Sequence, residues 1–133
     1  MKLSIKLLSV LIITIIVAAQ STQIQAAGEW KTIKTFTGSA PTGKRAIDQK
    51  TEDFTVPTNY WRTVYTIKAQ NEQYASFSAY IYPSGETVKN VAKVDFYKSG
   101  TDTSYVRAGP GDFWISVLAA NLSSWTIEIQ TQN

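Results

Sequence analysis

The chain contains no histidine and no cysteine. Without these residues a protein has no Ser-His-Asp or Cys-His catalytic site, no zinc site with the usual ligands, no haem or iron–sulfur ligation and no disulfide. Aspartate and glutamate remain as the candidates for acid–base catalysis. These absences remove most catalytic chemistry and favour a non-enzymatic protein that needs no cofactor.

The beginning of the chain has the order of segments that is typical of a secretory signal. Two lysines precede an apolar run over residues 7–19, and residues 20–27 are polar and end in small side chains. That run is shorter than the about 20 residues of a membrane-spanning helix. We expect residues 1–26 to be a signal peptide, with cleavage after Ala26 as the first choice and after Ala27 as the second, and an uncleaved anchor as the alternative. The mature protein is then secreted, extracellular or periplasmic, and is not inserted in a membrane.

The charge of the mature chain is nearly balanced. Cleavage leaves residues 27–133 as one domain, with 11 basic and 10 acidic side chains instead of the 13 and 10 of the full chain. Lys44 and Arg45 form an isolated basic pair, whereas nucleic-acid-binding domains usually carry a basic stripe. We therefore expect no nucleic-acid partner.

The mature part is rich in Thr, Val, Ile, Tyr, Phe and Trp, and turn residues punctuate it at short spacing. Such residues favour a pleated, half-buried surface. The pattern predicts a long loop over residues 38–50 and eight strands, at residues 30–36, 52–56, 60–69, 73–82, 88–97, 103–107, 113–119 and 125–129. Eight short antiparallel strands predict an all-β, two-sheet sandwich of jelly-roll or Greek-key type.

Alternation along these strands predicts which side chains face the core. The more apolar set of each strand supplies a single core that contains Trp61, Phe77, Ile81, Phe113, Ile115, Val117, Trp125 and Ile127. Because Trp125 opens the last strand, we expect its large side chain to close one end of the sandwich.

The last two strands carry a resemblance to known domains. Residues 108–117, which read AGPGDFWISV, combine a Gly-rich turn with an aromatic-led strand, and residues 125–129, WTIEI, form a last strand of alternating aliphatics. This hairpin resembles the end of small exported β-sandwich domains such as the pre-peptidase C-terminal domains of secreted enzymes. The resemblance covers about a fifth of the chain, implies the sandwich fold, and contains no catalytic residue.

The carboxylates do not form a recognisable catalytic pair. Glu52 and Asp53 are adjacent, so in a strand they point to opposite faces. Single acids lie in or near turns, where capping and surface solvation are their usual roles. Asp102 and Asp112 are weak candidates for a shared calcium site, since calcium takes oxygen ligands.

The outward set of the fourth predicted strand is the main candidate for a binding surface, and it consists of Tyr74, Ser76, Ser78, Tyr80 and Tyr82. If strands 60–69 and 73–82 pair as a hairpin through Asn71, Tyr60 and Arg62 lie on the same face. Tyrosine rings and hydroxyl groups are the composition of a surface that recognises a glycan or a peptide. The alternative is ordinary cross-strand pairing that only stabilises the sheet. Trp114 is a candidate exposed tryptophan, and its alternative position is beneath the loop over residues 38–50.

These observations predict an exported binding module that recognises a glycan, an envelope polymer or another protein. The first alternative is a structural or adhesion subunit of the envelope that self-associates, and the second is a hydrolase that uses carboxylates alone. Asn121, followed by Leu122 and Ser123, also matches a glycosylation acceptor pattern in a predicted turn.

Overall fold

The computed structural model describes residues 28–41 and 46–132, and every regular element within these ranges is a strand. The strands are β1 (Trp30–Ala40), β2 (Ile47–Lys50), β3 (Phe54–Val56), β4 (Trp61–Ala69), β5 (Ser76–Pro83), β6 (Ala92–Phe96), β7 (Gly100–Val106), β8 (Gly111–Ala120) and β9 (Leu122–Gln132). The predicted signal peptide, residues 1–26, lies outside the described residues. No helix in the described ranges is long and apolar enough to span a membrane.

The strands form two antiparallel sheets. Sheet A has the order β1-β9-β4-β7, and sheet B has the order β2-β8-β5-β6, with β3 also paired to β8. β2 and β3 lie on the same side of β8 and act as one interrupted strand, because the Thr51 amide between them still donates to the carbonyl of Ile115 at 2.9 Å. Counted in this way the described residues form eight strands in the order of a jelly roll, which confirms the predicted fold class.

The core lies between the sheets and is built from the alternating sets that the sequence predicts. Trp61, Thr63, Tyr65 and Ile67 of β4 are buried, as are the corresponding residues of the strands that face them. All eight side chains predicted for the core belong to one buried cluster. Phe77 lies at its centre, with ring centroids 5.8 Å from Trp125, 5.9 Å from Phe96 and 6.0 Å from Tyr65.

The expected loop over residues 38–50 is in part a strand. Residues 47–50 pair with residues 116–119 of β8, and β1 continues to Ala40. The local sequence Ile-Asp-Gln-Lys has little strand propensity of its own. Pairing with a buried central strand therefore decides its conformation, which a local pattern does not reveal.

The hairpin expected between the strands at 60–69 and 73–82 does not form. β4 pairs with β7 and β9 in sheet A, whereas β5 pairs with β6 and β8 in sheet B. The chain crosses between the sheets at Asn71, whose backbone amide, like that of Gln70, donates to the carbonyl of Asn121. The turn near Asn71 is thus a crossover from one sheet to the other.

Candidate functional site: the outer faces of the two sheets

The outer face of sheet B carries the predicted tyrosine–serine set. Ser76, Ser78, Tyr80 and Tyr82 of β5 are half-buried and alternate with the buried inward residues. Tyr74 precedes the strand and is 62% exposed. We call the outward side of β5, with the side chains directly beside it on β8 and β6, the tyrosine face.

Neighbouring strands place polar groups on both sides of this set. In register, Ser78 lies between Leu118 and Asp95, and its hydroxyl donates to Asp95 at 2.6 Å. Tyr80 lies between Ser116 and Lys93, and the Lys93 ammonium is 5.3 Å from the centroid of its ring. The tyrosine face thus has an aromatic ring at its centre, surrounded by hydroxyl and charged groups.

An ion pair between Lys93 and Asp95 lies at the edge of the tyrosine face and is exposed to solvent. The Lys93 ammonium is 3.4 Å from a carboxylate oxygen of Asp95. The hydrogen bond between the Lys93 ammonium and Asp95, together with the negative charge of Asp95, raises the pKa of Lys93. Exposed pairs of this kind add little stability.

Trp114 is not the exposed tryptophan that the sequence suggested. It is only 8% exposed, although it points to the outer face of sheet B. Tyr82 stacks on it with centroids 4.7 Å apart, the Lys50 ammonium lies 4.3 Å from its ring, and its indole N–H donates to the carbonyl of Glu86 at 3.0 Å. Lys50 of β2 and the connection between β5 and β6 therefore cover the indole ring and bury it. This agrees with the alternative position for Trp114, beneath residues 38–50.

Glu86 fixes the connection that covers Trp114. Its carboxylate accepts hydrogen bonds from the backbone amides of Val88 and Lys89, and from that of Thr87. These bonds lower the pKa of Glu86, the one from Val88 most. The charged carboxylate is thus the form that holds the turn.

Tyr60 and Arg62 do not lie beside the tyrosine face, because β4 belongs to the other sheet. On the outer face of sheet A they meet three residues that the sequence did not single out: Trp30, Tyr105 and Arg107. We call these five side chains the arginine–aromatic cluster. Period-2 alternation along β7 and into the residue that follows it places Tyr105 and Arg107 on one face. This signal would have identified them had the pairing of β7 with β4 been known.

The two weak calcium candidates lie in different sheets. Asp102 is in β7, and one of its carboxylate oxygens accepts from the amide of Thr103 at 2.8 Å. Asp112 is in β8, and it accepts from the hydroxyl of Thr55 at 2.6 Å. Among the described residues no group of three or more acidic side chains is placed to hold a metal ion.

Other acidic side chains are held by local partners. Lys34 pairs with Glu52, and the hydroxyl of Ser84 donates to Asp53. Glu72 accepts from the hydroxyl and the amide of Ser99, and these hydrogen bonds lower its pKa. These contacts join loops and strands that are far apart in the chain.

Asn121 has a structural role in the turn between β8 and β9. Its backbone is in the left-handed region, with φ of 58°. Its side-chain amide donates to the carbonyl of Tyr74 at 2.9 Å. This hydrogen bond joins two of the connections that cross between the sheets.

Comparison with known proteins supports the fold. No protein-family model and no curated protein sequence matches the chain, so the resemblance to pre-peptidase C-terminal domains stays an expectation. Among solved structures, a chain of the Bacillus endospore appendages, which form a family of disulfide-linked pili, is similar at a TM-score of 0.51 and 12% identity, covering 80% of this chain and 91% of that one. A second is TmCBM61, solved in complex with β-1,4-galactotriose, at a TM-score of 0.40 and 11% identity, covering 81% and 90%.

The appendage chain shares the β-sandwich with this protein, and at 12% identity the likeness extends to the fold alone. Because this chain has no cysteine, it does not share the disulfide linkage of those pili. At a TM-score of 0.40, the likeness to TmCBM61 indicates neither the fold nor a ligand of this protein.

Proposed function

We propose that the protein is an exported, non-enzymatic binding module that recognises a glycan or an envelope polymer through the tyrosine face. The observation that carries this proposal is the position of Tyr80, whose ring lies at the centre of the outer face of sheet B between Ser116 and Lys93. The signal-like segment at residues 1–26 supports export to the place where such polymers occur.

The chemistry of this face suits a sugar. An aromatic ring offers a flat apolar surface for sugar C–H groups, and the serine hydroxyls and the Lys93–Asp95 pair offer hydrogen bonds to sugar hydroxyls. Since the backbone of β5 is paired on both sides, by β6 and β8, the ring is held on a rigid support. Binding of a ligand then costs the protein little conformational entropy, and this favours affinity.

The test is retention of the mature protein on insoluble cellulose, chitin and peptidoglycan, followed by titration of variants on the retained polymer. Tyr80→Ala should weaken binding about threefold to tenfold, because a stacking contact is worth about 0.5–1.5 kcal/mol. Tyr80→Phe keeps the ring and should bind nearly as well as the wild type. Thr66→Ala, exposed on the opposite sheet, is the control for unrelated changes.

Two results would contradict this function. The first is no retention on any of the three polymers. The second is unfolding of Tyr80→Ala, which would show that the ring belongs to the packed interior.

A second candidate is a structural or adhesion subunit that self-associates, and it is favoured by apolar side chains next to the edge strand β6. Val88 is 79% exposed and Tyr97 is 70% exposed, and β6 has a strand partner on one side only among the described residues. Unpaired edges of this kind are templates for association. Sedimentation velocity separates the two functions, since a subunit forms larger species as concentration rises and a monomer at all concentrations contradicts it.

A further inference from the structure

The arginine–aromatic cluster lies at one end of the outer face of sheet A. Arg62 of β4 is directly opposite Tyr105 of β7 and, on its other side, Gln130 of β9. Tyr60 and Arg107 each lie two residues from these and on the same face, and Trp30 begins the outer strand β1. Four separate segments of the chain therefore meet at this place.

The three rings pack against one another. The ring of Tyr60 is stacked on that of Tyr105, with centroids 6.0 Å apart, and the indole of Trp30 meets both edge-on, at 5.8 and 5.9 Å. Tyr105 is 53% exposed, so the group borders solvent. This is an ordered apolar surface outside the core.

Both guanidinium groups lie over these rings. Arg62 is 4.4 Å from the centroid of Trp30, and Arg107 is 4.6 Å from the centroid of Tyr60. The Nε of Arg62 donates to Gln130 at 2.7 Å, and the amide of Gln130 in turn donates to Thr32 at 3.1 Å. Arg62 is thus held in one orientation by a ring and by a hydrogen bond.

Neither arginine has an acidic partner in the part of the chain that the structure describes. The ion pairs among the described residues are Lys34–Glu52 and Lys93–Asp95. Glu128, the acid near this end of β9, accepts instead from the hydroxyl of Thr32 at 3.3 Å. Each guanidinium group of the cluster therefore lies over an aromatic ring, without a neutralising carboxylate among the described residues.

We propose that the arginine–aromatic cluster binds a carboxylate-bearing sugar unit of an acidic polysaccharide. A guanidinium group presents a fork of N–H donors that matches a carboxylate in geometry and charge. The exposed ring of Tyr105 offers a flat apolar face to the sugar that carries the carboxylate. This site is on the sheet opposite to the tyrosine face, and its function is independent of that face.

The two arginine side chains are held in place before a ligand binds, and this favours affinity for a carboxylate. A cation–π contact holds a guanidinium group over the face of an aromatic ring and leaves its N–H groups available as hydrogen-bond donors. The Nη atoms of Arg62 and all donors of Arg107 make no hydrogen bond to another described side chain. A bound carboxylate would thus add contacts and would break none.

Calorimetric titration of the mature protein with trigalacturonate tests this site, and the fully methyl-esterified trisaccharide is the matched ligand that lacks only the charge. Arg107→Gln should weaken trigalacturonate binding about tenfold to a hundredfold, the range for a lost hydrogen bond to a charged group. Arg62→Gln should act in the same direction. The methyl ester should show no saturable binding, and added salt should weaken the binding of trigalacturonate.

Lys68→Gln is the matched control variant, because it removes one positive charge from the same face of β4 about 20 Å further along the strand. It should bind trigalacturonate within about twofold of the wild type. Arg107 is exposed and has no hydrogen-bond partner among the described residues, so its variant keeps the test valid even if Arg62→Gln loses its fold.

Several results would overturn the site: equal affinity for the methyl ester, equal loss in Lys68→Gln and Arg107→Gln, or no binding of trigalacturonate. Binding of a 16-nucleotide oligothymidylate in place of trigalacturonate would also overturn it and would assign the cluster to single-stranded nucleic acid. Tyr80→Ala should leave trigalacturonate binding unchanged, so that failure of this site and failure of the tyrosine face give different patterns.

Discussion

Replacing Gly38 with alanine should destabilise the protein, because the side chain of Trp125 occupies the space that a Cβ atom needs. Gly38 and Trp125 are direct partners in the β1–β9 ladder. A Cβ built on Gly38 would lie 2.5 Å from Cε2 and 2.7 Å from Nε1 of the indole. Carbon atoms of two side chains do not approach so closely, so the indole or the strand must move.

The indole has little room to move. Trp125 is 3% exposed and its ring centroid is 5.8 Å from that of Phe77, which is itself fully buried. Overpacking of this kind costs about 1–3 kcal/mol. A glycine-to-alanine change without strain has the opposite effect: it stabilises a protein by about 0.4–1 kcal/mol, because it reduces the conformational entropy of the unfolded chain.

Urea unfolding of the wild type, Gly38→Ala, Trp125→Phe and the double variant measures this interaction. Gly38→Ala should cost clearly less in the Trp125→Phe background, where the smaller ring vacates part of the space. Trp125→Ala should cost about 3–5 kcal/mol through lost transfer energy and a cavity. A stabilised Gly38→Ala protein would refute the packing described here, and an equal penalty in both backgrounds would show that the indole is not the obstacle.

Two further predictions concern the core and export. The hydroxyl of Tyr65 is buried without a hydrogen-bond partner among the described residues, so Tyr65→Phe should leave stability unchanged or raise it by about 1 kcal/mol in thermal or urea unfolding. Burial raises the pKa of Tyr65 to about 12. Because tyrosine in the unfolded chain ionises near pH 10, the wild type should lose stability between about pH 10 and 12 more steeply than Tyr65→Phe. Parallel stability profiles of the two proteins would contradict this. Intact-mass analysis of the protein from its native host should show loss of 26 or 27 residues, and a mature chain that begins at Met1 would reject the signal peptide.

The two proposed sites differ in how far the sequence could locate them. Alternation in a single strand is a local property with a period of two residues, so the outward set around Tyr80 was readable from the sequence. The sequence left open whether Trp114 is exposed or buried, because its cover depends on Lys50 and Glu86, which are far from it in the chain. The meeting of Tyr60 with Trp30 and Tyr105 was equally hidden, since it needs the pairing of β4 with β7 and of β1 with β9.

The sequence by itself determined the class of fold, the approximate positions of most strands and the side chains that form the core. These follow from the spacing of apolar residues and from turn residues, which act over a few positions. Only the tertiary structure decided that the turn near Asn71 carries the chain from sheet A to sheet B, and hence that Arg62 and Tyr80 lie on opposite faces. The physical reason is that strand pairing joins segments far apart in the chain: β4 pairs with β9, some 60 residues away, and not with the strand that follows it, and a local pattern of side chains does not encode such a choice.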